Sequence, residues 1–98
     1  MATVVFTHKH VYEDGDIEAI RILEVPKSEK QPEGVSYSLV YISKGERVIG
    51  YDNFEGHEFE GSSHHKHAGK RTMPYAFVDI WKLISDFKDD VAKLRVKK

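Results

Sequence analysis

Ser63-His64-His65-Lys66-His67, followed by Gly69-Lys70-Arg71, gathers three imidazoles and three cations within eight residues. Imidazole near neutrality accepts and donates protons, ligates metal, and contacts phosphate when protonated. Phosphate chemistry on RNA needs little more: a base for the 2′-hydroxyl, an acid for the leaving oxygen, and cations for the developing charge. His65 and His67 are the proton-transfer candidates, and Lys66, Lys70 and Arg71 the phosphate-binding ones. Upstream, Tyr51-Asp52-Asn53 ends a strand where it runs into this segment, a common place for site residues. Tyr51, Asp52 and Asn53 are therefore candidate substrate contacts, although an Asx-type turn is the simpler explanation of Asp52 and Asn53. The histidine cluster keeps two other readings open. One is a solvated polar loop. The other is a divalent-metal site with Asp52 or His57 as an added ligand, at a spacing that matches no standard ligand pattern. Glu55, Glu58 and Glu60 either solvate the segment or serve that metal. No cofactor is expected.

These side chains must be held by elements that the hydrophobic pattern locates. Thr3–Glu13 and Asp16–Val25 are β-rich and flank Asp14-Gly15, a strong two-residue hairpin signal. A two-residue turn there pairs Tyr12 with Ile17, His10 with Ala19, His8 with Arg21 and Phe6 with Leu23. It would also place His8, His10 and Arg21 on one face. Pro26–Gly34 breaks the pattern as a solvated loop. Val35–Ile42 and Glu46–Asn53 form a second hairpin around Lys44-Gly45, with Tyr41 opposite Val48 and Val40 opposite Ile49. Phe54–Thr72 reads as a long functional or flexible loop, and Pro74–Val78 as a short fifth strand with Tyr75 and Phe77 on one face. Asp79 is a suitable N-cap. From it, Ile80, Ile84, Phe87, Val91 and Leu94 recur in steps of four and three, one face of a helix that Trp81 and Leu83 widen.

The expected fold is α+β: an antiparallel sheet of four or five strands, built as two consecutive hairpins, against one long C-terminal helix. With 98 residues, of which 40% are apolar, the chain makes one domain with one core. The absence of cysteine excludes a disulfide scaffold, a thiol nucleophile and thiolate metal ligands. No apolar run approaches the ~18–20 residues of a membrane span, and no secretory signal opens the chain, so the expected compartment is the cytoplasm. A net charge of −1 gives no global attraction to nucleic acid, so any phosphate contact must be local. The predicted registers leave apolar residues on both faces (Leu39, Tyr41 and Val48 on one, Val40, Ile49 and Tyr51 on the other). One helix covers only one face, which points to a homodimer or a protein partner on the second.

Tyr51-Asp52-Asn53, a glycine-containing stretch, His65-Lys66-His67 with Gly69, Pro74-Tyr75 with Phe77, and a final helix carrying Asp86-Phe87 and Val91 resemble the TumE family of toxins from prokaryotic toxin–antitoxin modules. The family pattern has a Gly-Asp-His-Arg-His-like stretch; here His64 stands where the aspartate precedes the first histidine, and Lys66 replaces arginine. The resemblance implies a cytoplasmic, growth-inhibiting protein. A cognate antitoxin, commonly a helix-turn-helix DNA-binding protein, would neutralise it, and RNA is the expected target. A degenerate toxin that keeps the protein partner without the chemistry is the alternative.

Overall fold

The computed structural model describes residues 3–27, 33–53 and 64–96. Six strands, β1 (Thr3–Val11), β2 (Ile17–Glu24), β3 (Val35–Ser43), β4 (Glu46–Asp52), β5 (His65–Ala68) and β6 (Arg71–Pro74), precede one helix, α1 (Ile80–Val96). The strands form a single antiparallel sheet in the order β1-β2-β3-β4-β5-β6. The α+β class and the C-terminal helix agree with the sequence, but the strand count is higher. The additional strands lie at the end of the stretch read as a loop: β5 and β6 make a hairpin over 65–74, and residues 75–79 carry no strand. The Glu55, His57, Glu58 and Glu60 expectations, like most of that stretch, fall outside the described residues.

Both early hairpins turn at the expected residues, yet their registers differ from expectation. Around Asp14-Gly15 the Tyr12 N–H donates to Asp16 O (2.8 Å), the Gly15 N–H donates to Tyr12 O (3.0 Å), and Gly15 sits at φ 92°. This is a three-residue loop with a left-handed glycine rather than a two-residue turn. The slip of one residue pairs His8 with Ile20, His10 with Glu18 and Thr7 with Arg21. Since successive side chains alternate faces, Arg21 lies on the face opposite His8 and His10. At Lys44-Gly45 both residues have positive φ, 55° and 77°, and the two-residue turn holds with Ile42 opposite Arg47. A bulge then places Tyr41 opposite Ile49 and Val40 opposite Gly50.

That bulge decides which face is the core. It turns Ile49 and Tyr51 toward the helix, alongside Ile20, Ile22, Tyr37, Leu39 and Tyr41, all buried. Asp79 caps α1, its Oδ1 accepting the Lys82 N–H at 2.8 Å. Leu83, Phe87 and Val91 are the buried helix residues, flanked by half-buried Ile80, Ile84 and Leu94. Each of the three contributes about 1.5–3 kcal/mol on burial. Trp81 points away, 75% exposed. At the far end of α1, Arg95 reaches Asp14 (3.3 Å) and Asp16 (3.3 Å) and lies 3.6 Å from the Tyr12 ring centroid, fastening the helix to the first turn. With Ile49 and Tyr51 on the helix side, the opposite face loses most of the apolar surface on which the expectation of a covering partner rested. Among the described residues no helix is long and apolar enough to cross a membrane.

Candidate functional site

The face opposite the helix carries the histidines. Strands β4 and β5 pair Asp52 with His65 and Gly50 with His67, and β6 brings Thr72 opposite His67. Directly opposed residues share a face, so Asp52, His65, His67 and Thr72 converge there. The His67 Nε2 lies 3.0 Å from Asp52 Oδ2, and its Nδ1 3.2 Å from Thr72 Oγ1. A carboxylate only accepts, so Nε2 carries the proton and Nδ1 accepts from the Thr72 hydroxyl. The His65 Nδ1 lies 3.6 Å from Asp52 Oδ1, close enough for charge interaction, and the two imidazole centroids are 6.3 Å apart. Asp52, His65 and His67 are all buried, whereas Thr72 is exposed. The arrangement is an imidazole with a carboxylate on one nitrogen and a hydroxyl on the other, the relationship that general-base chemistry would require.

The described strand residues on the histidine face include Lys9, Arg21 and Arg47, placed there by Ala19, Ser38 and Ile42 as their respective partners. The Arg47 side chain lies over Gly50: a Cβ at residue 50 would stand 3.0 Å from its Cδ and 3.6 Å from its guanidinium carbon. Gly50 is thus the gap through which a guanidinium approaches the row containing His67. On the helix side, by contrast, four cations sit on carboxylates. Lys66 pairs with Asp90 (2.7 Å), Lys82 with Asp86 (2.8 Å), Lys88 with Glu18 (3.2 Å), and Arg95 with Asp14 and Asp16.

The expected site residues therefore divide. His65, His67 and Asp52 come together. Lys66 faces the other way because it alternates with the histidines along β5; its ammonium sits 5.4 Å from the Tyr51 ring centroid and on Asp90. Tyr51 is on that side too, its hydroxyl donating to Asp90. Burial, then the Asp90 hydrogen bond, push the Tyr51 phenol well up, and burial with Asp86 does the same for Tyr75. Both phenols stay protonated donors. Asn53 bonds to the backbone of β3: its Oδ1 accepts the Tyr37 N–H (3.0 Å) and its Nδ2 donates to Val35 O (2.7 Å), extending the ladder beyond β4. Lys70 and Arg71 are exposed at the β5–β6 turn. Of the supplementary histidines, His8 bonds Glu18 at 2.9 Å and His10 packs edge-on to Tyr12 at 4.4 Å, both away from the site.

His64 also faces the helix side. Its ring stacks on Phe77 at 4.8 Å, its Nδ1 is 2.8 Å from Tyr37 Oη, and its Nε2 is 3.1 Å from Glu33 Oε1. Burial holds the Tyr37 phenol protonated, so it donates to Nδ1. A side chain at residue 64 points away from His65 whatever its identity, and the carboxylate that meets the histidines is Asp52. Arg47, Gly50 and Thr72 escape sequence reasoning, since only the bulge and the short β5–β6 hairpin bring them in. Among the described residues no group of three or more histidines and carboxylates could hold a metal ion.

No curated protein and no solved structure matches the chain. A family model described as Toxin TumE matches residues 2–95, nearly the whole length. The chain belongs to the TumE family of toxins.

Proposed function

We propose that this toxin acts on RNA at the sheet face opposite α1, as a metal-independent endoribonuclease. The observation that carries the reading is the Asp52–His67 pair at 3.0 Å with His65 beside it, on the face that also presents Lys9, Arg21 and Arg47. Substrate approaches from the exposed Thr72 side, and its 2′-hydroxyl takes the place of Thr72 Oγ1 at His67 Nδ1. His67 removes the hydroxyl proton as the 2′-oxygen attacks phosphorus. Asp52 holds the ring and stabilises the imidazolium that forms. The bond from phosphorus to the 5′-oxygen breaks, that oxygen takes a proton from His65, and a cyclic phosphate and a 5′-hydroxyl result. Arg47 offsets charge on the phosphoryl oxygens. Growth inhibition in the cytoplasm follows, relieved by a cognate antitoxin, expected to be a helix-turn-helix DNA-binding protein. A homodimer remains part of the reading and is checked by sedimentation.

The burial of both imidazoles favours a second reading, in which the pair is a structural polar cluster of a non-enzymatic or degenerate binding protein. Induction of wild type, His65→Ala and His67→Ala separates the two, scored for growth and for cleavage of single-stranded RNA with and without chelator. The enzyme reading expects each alanine variant to lose on the order of 10²-fold or more in cleavage, with no effect of chelator. Folded variants with undiminished cleavage and toxicity would end it.

A further inference from the structure

On the same sheet face, one strand removed from Asp52, Arg21, Leu23, Ser36 and Ser38 line a concavity of ≈ 240 Å³, with Tyr37 between the two serines in the chain. The register makes this a compact block: Arg21 is opposite Ser38, and Leu23 is opposite Ser36. The row then continues, Ser38 opposite Asp52 and Asp52 opposite His65. Arg21 thus stands two strand spacings from Asp52, roughly 9–10 Å along the row. The concavity is below the ~300–1,000 Å³ of pockets that enclose a whole drug-sized ligand, a size for one planar group with its attached phosphate.

Its chemistry is that of a nucleotide subsite. Leu23 supplies an apolar wall, Ser36 and Ser38 supply short hydroxyls that both donate and accept, and Arg21 supplies a planar cation that stacks on a base or grips a phosphate. Arg21 is exposed, its neighbours across both ladders are Thr7 and Ser38, and no described carboxylate pairs with it. That contrasts with Lys66, Lys82, Lys88 and Arg95, each on a carboxylate. A cation without a carboxylate partner among the described residues, in a row that leads to two histidines, is poised for an anion from outside.

We infer that the Arg21–Ser36–Ser38 concavity seats the nucleotide adjacent to the scissile phosphate of single-stranded RNA. The inference rests on the RNA reading above and adds which strand residues hold the flanking nucleotide.

The test measures binding apart from cleavage. A fluorescein-labelled oligoribonucleotide carrying 2′-O-methyl groups throughout cannot be cut by 2′-hydroxyl attack. Its affinity is followed by anisotropy against salt for wild type, Arg21→Gln, Ser38→Ala and His67→Ala, and unmodified RNA is used for cleavage. The expected result is about a tenfold weaker Kd for Arg21→Gln, with the salt slope smaller by about 0.7, one phosphate contact on a single strand. Ser38→Ala weakens binding less, and His67→Ala binds as wild type does while failing to cleave. Wild-type cleavage with unchanged Arg21→Gln affinity and slope overturns the subsite and leaves the histidine reading intact. Arg21-dependent binding without wild-type cleavage upholds the concavity as a nucleotide seat and overturns the histidine chemistry, and with it the placement beside a scissile phosphate. Wild type that neither binds nor cleaves RNA overturns both. Loss of antitoxin capture in Arg21→Gln with RNA affinity unchanged also overturns the subsite, assigning the concavity to a protein partner.

Discussion

Asp52→Asn probes the arrangement with the least disturbance of shape. The carboxylate accepts from His67 Nε2 at 3.0 Å and lies 3.6 Å from His65 Nδ1, so it is the common counter-charge of both rings. Asparagine keeps the volume, and its amide oxygen can still accept one hydrogen bond, but the negative charge is gone. As His67 accepts a proton, the imidazolium loses a charge-assisted partner, an interaction worth about 1.5–3 kcal/mol. At 1.36 kcal/mol per decade, the cleavage step slows by about 10- to 150-fold. Asparagine is easier to bury than an ion, so thermal stability changes little and RNA affinity, set by cations elsewhere on the face, stays. The assay is single-turnover cleavage of a labelled single-stranded RNA by wild type and variant, with melting curves and anisotropy on the same preparations. A variant that melts, binds and cleaves as wild type does would refute the role given to Asp52.

Three further outcomes follow from the same contacts. Lys66→Met should leave RNA cleavage unchanged and shift stability by only about 0.2–1 kcal/mol, because its ammonium is engaged with Asp90 on the far face; cleavage lost with the fold intact would return Lys66 to the site. Glu18 is buried, which alone would raise its pKa, but hydrogen bonds from Lys88, Tyr12 and His8 outweigh burial and hold the carboxyl below its ordinary 4.5. A depressed folded pKa contributes stability above the unfolded value and loses it as pH falls through the folded one. Glu18→Gln should therefore cost about 1–3 kcal/mol at pH 7 in urea unfolding, with wild type and variant converging below pH 4.5. Phe87→Ala, which removes a fully buried ring edge-on to Tyr51 at 6.1 Å, should cost about 3–5 kcal/mol in the same assay.

The parts legible in the sequence are those written in local pattern. The α1 stripe, the Asp79 cap and the turn residues at Asp14-Gly15 and Lys44-Gly45 each specify themselves within a few positions. What local pattern leaves open is the count of residues between strands. Strand side chains have period two, so one extra residue moves every later side chain to the other face. A glycine that closes a three-residue loop moves Arg21 away from His8, and a bulge in β4 carries Ile49 and Tyr51 from the open face to the core. Neither change alters hydrophobicity, so no composition signal announces it.

The same period governs the chemistry. His65-Lys66-His67 reads in sequence as one basic cluster, but on a strand it is two imidazoles facing one way and an ammonium facing the other. The bulge that moves Tyr51 to the core turns Asp52 toward the face where His65 and His67 arrive. Because Gly50 then stands opposite His67, Arg47 has room to lie across the strand. The carboxylate, the histidines and the arginines thus share a face because the bulge takes Val48 out of the pairing. Val48 is the residue that the bulge leaves out, since Ile42 pairs with Arg47 and Tyr41 with Ile49. Deleting it should give an unbulged β4 in which Ile49 follows Arg47, every later pairing is kept, and the Asp52–His67 contact survives. The imidazole resonances of His67 in the variant, compared with wild type and Asp52→Asn, read that contact directly. A folded deletion variant with the His67 signature of Asp52→Asn would show that the pairing from Tyr41–Ile49 onward is not what sets the face of Asp52.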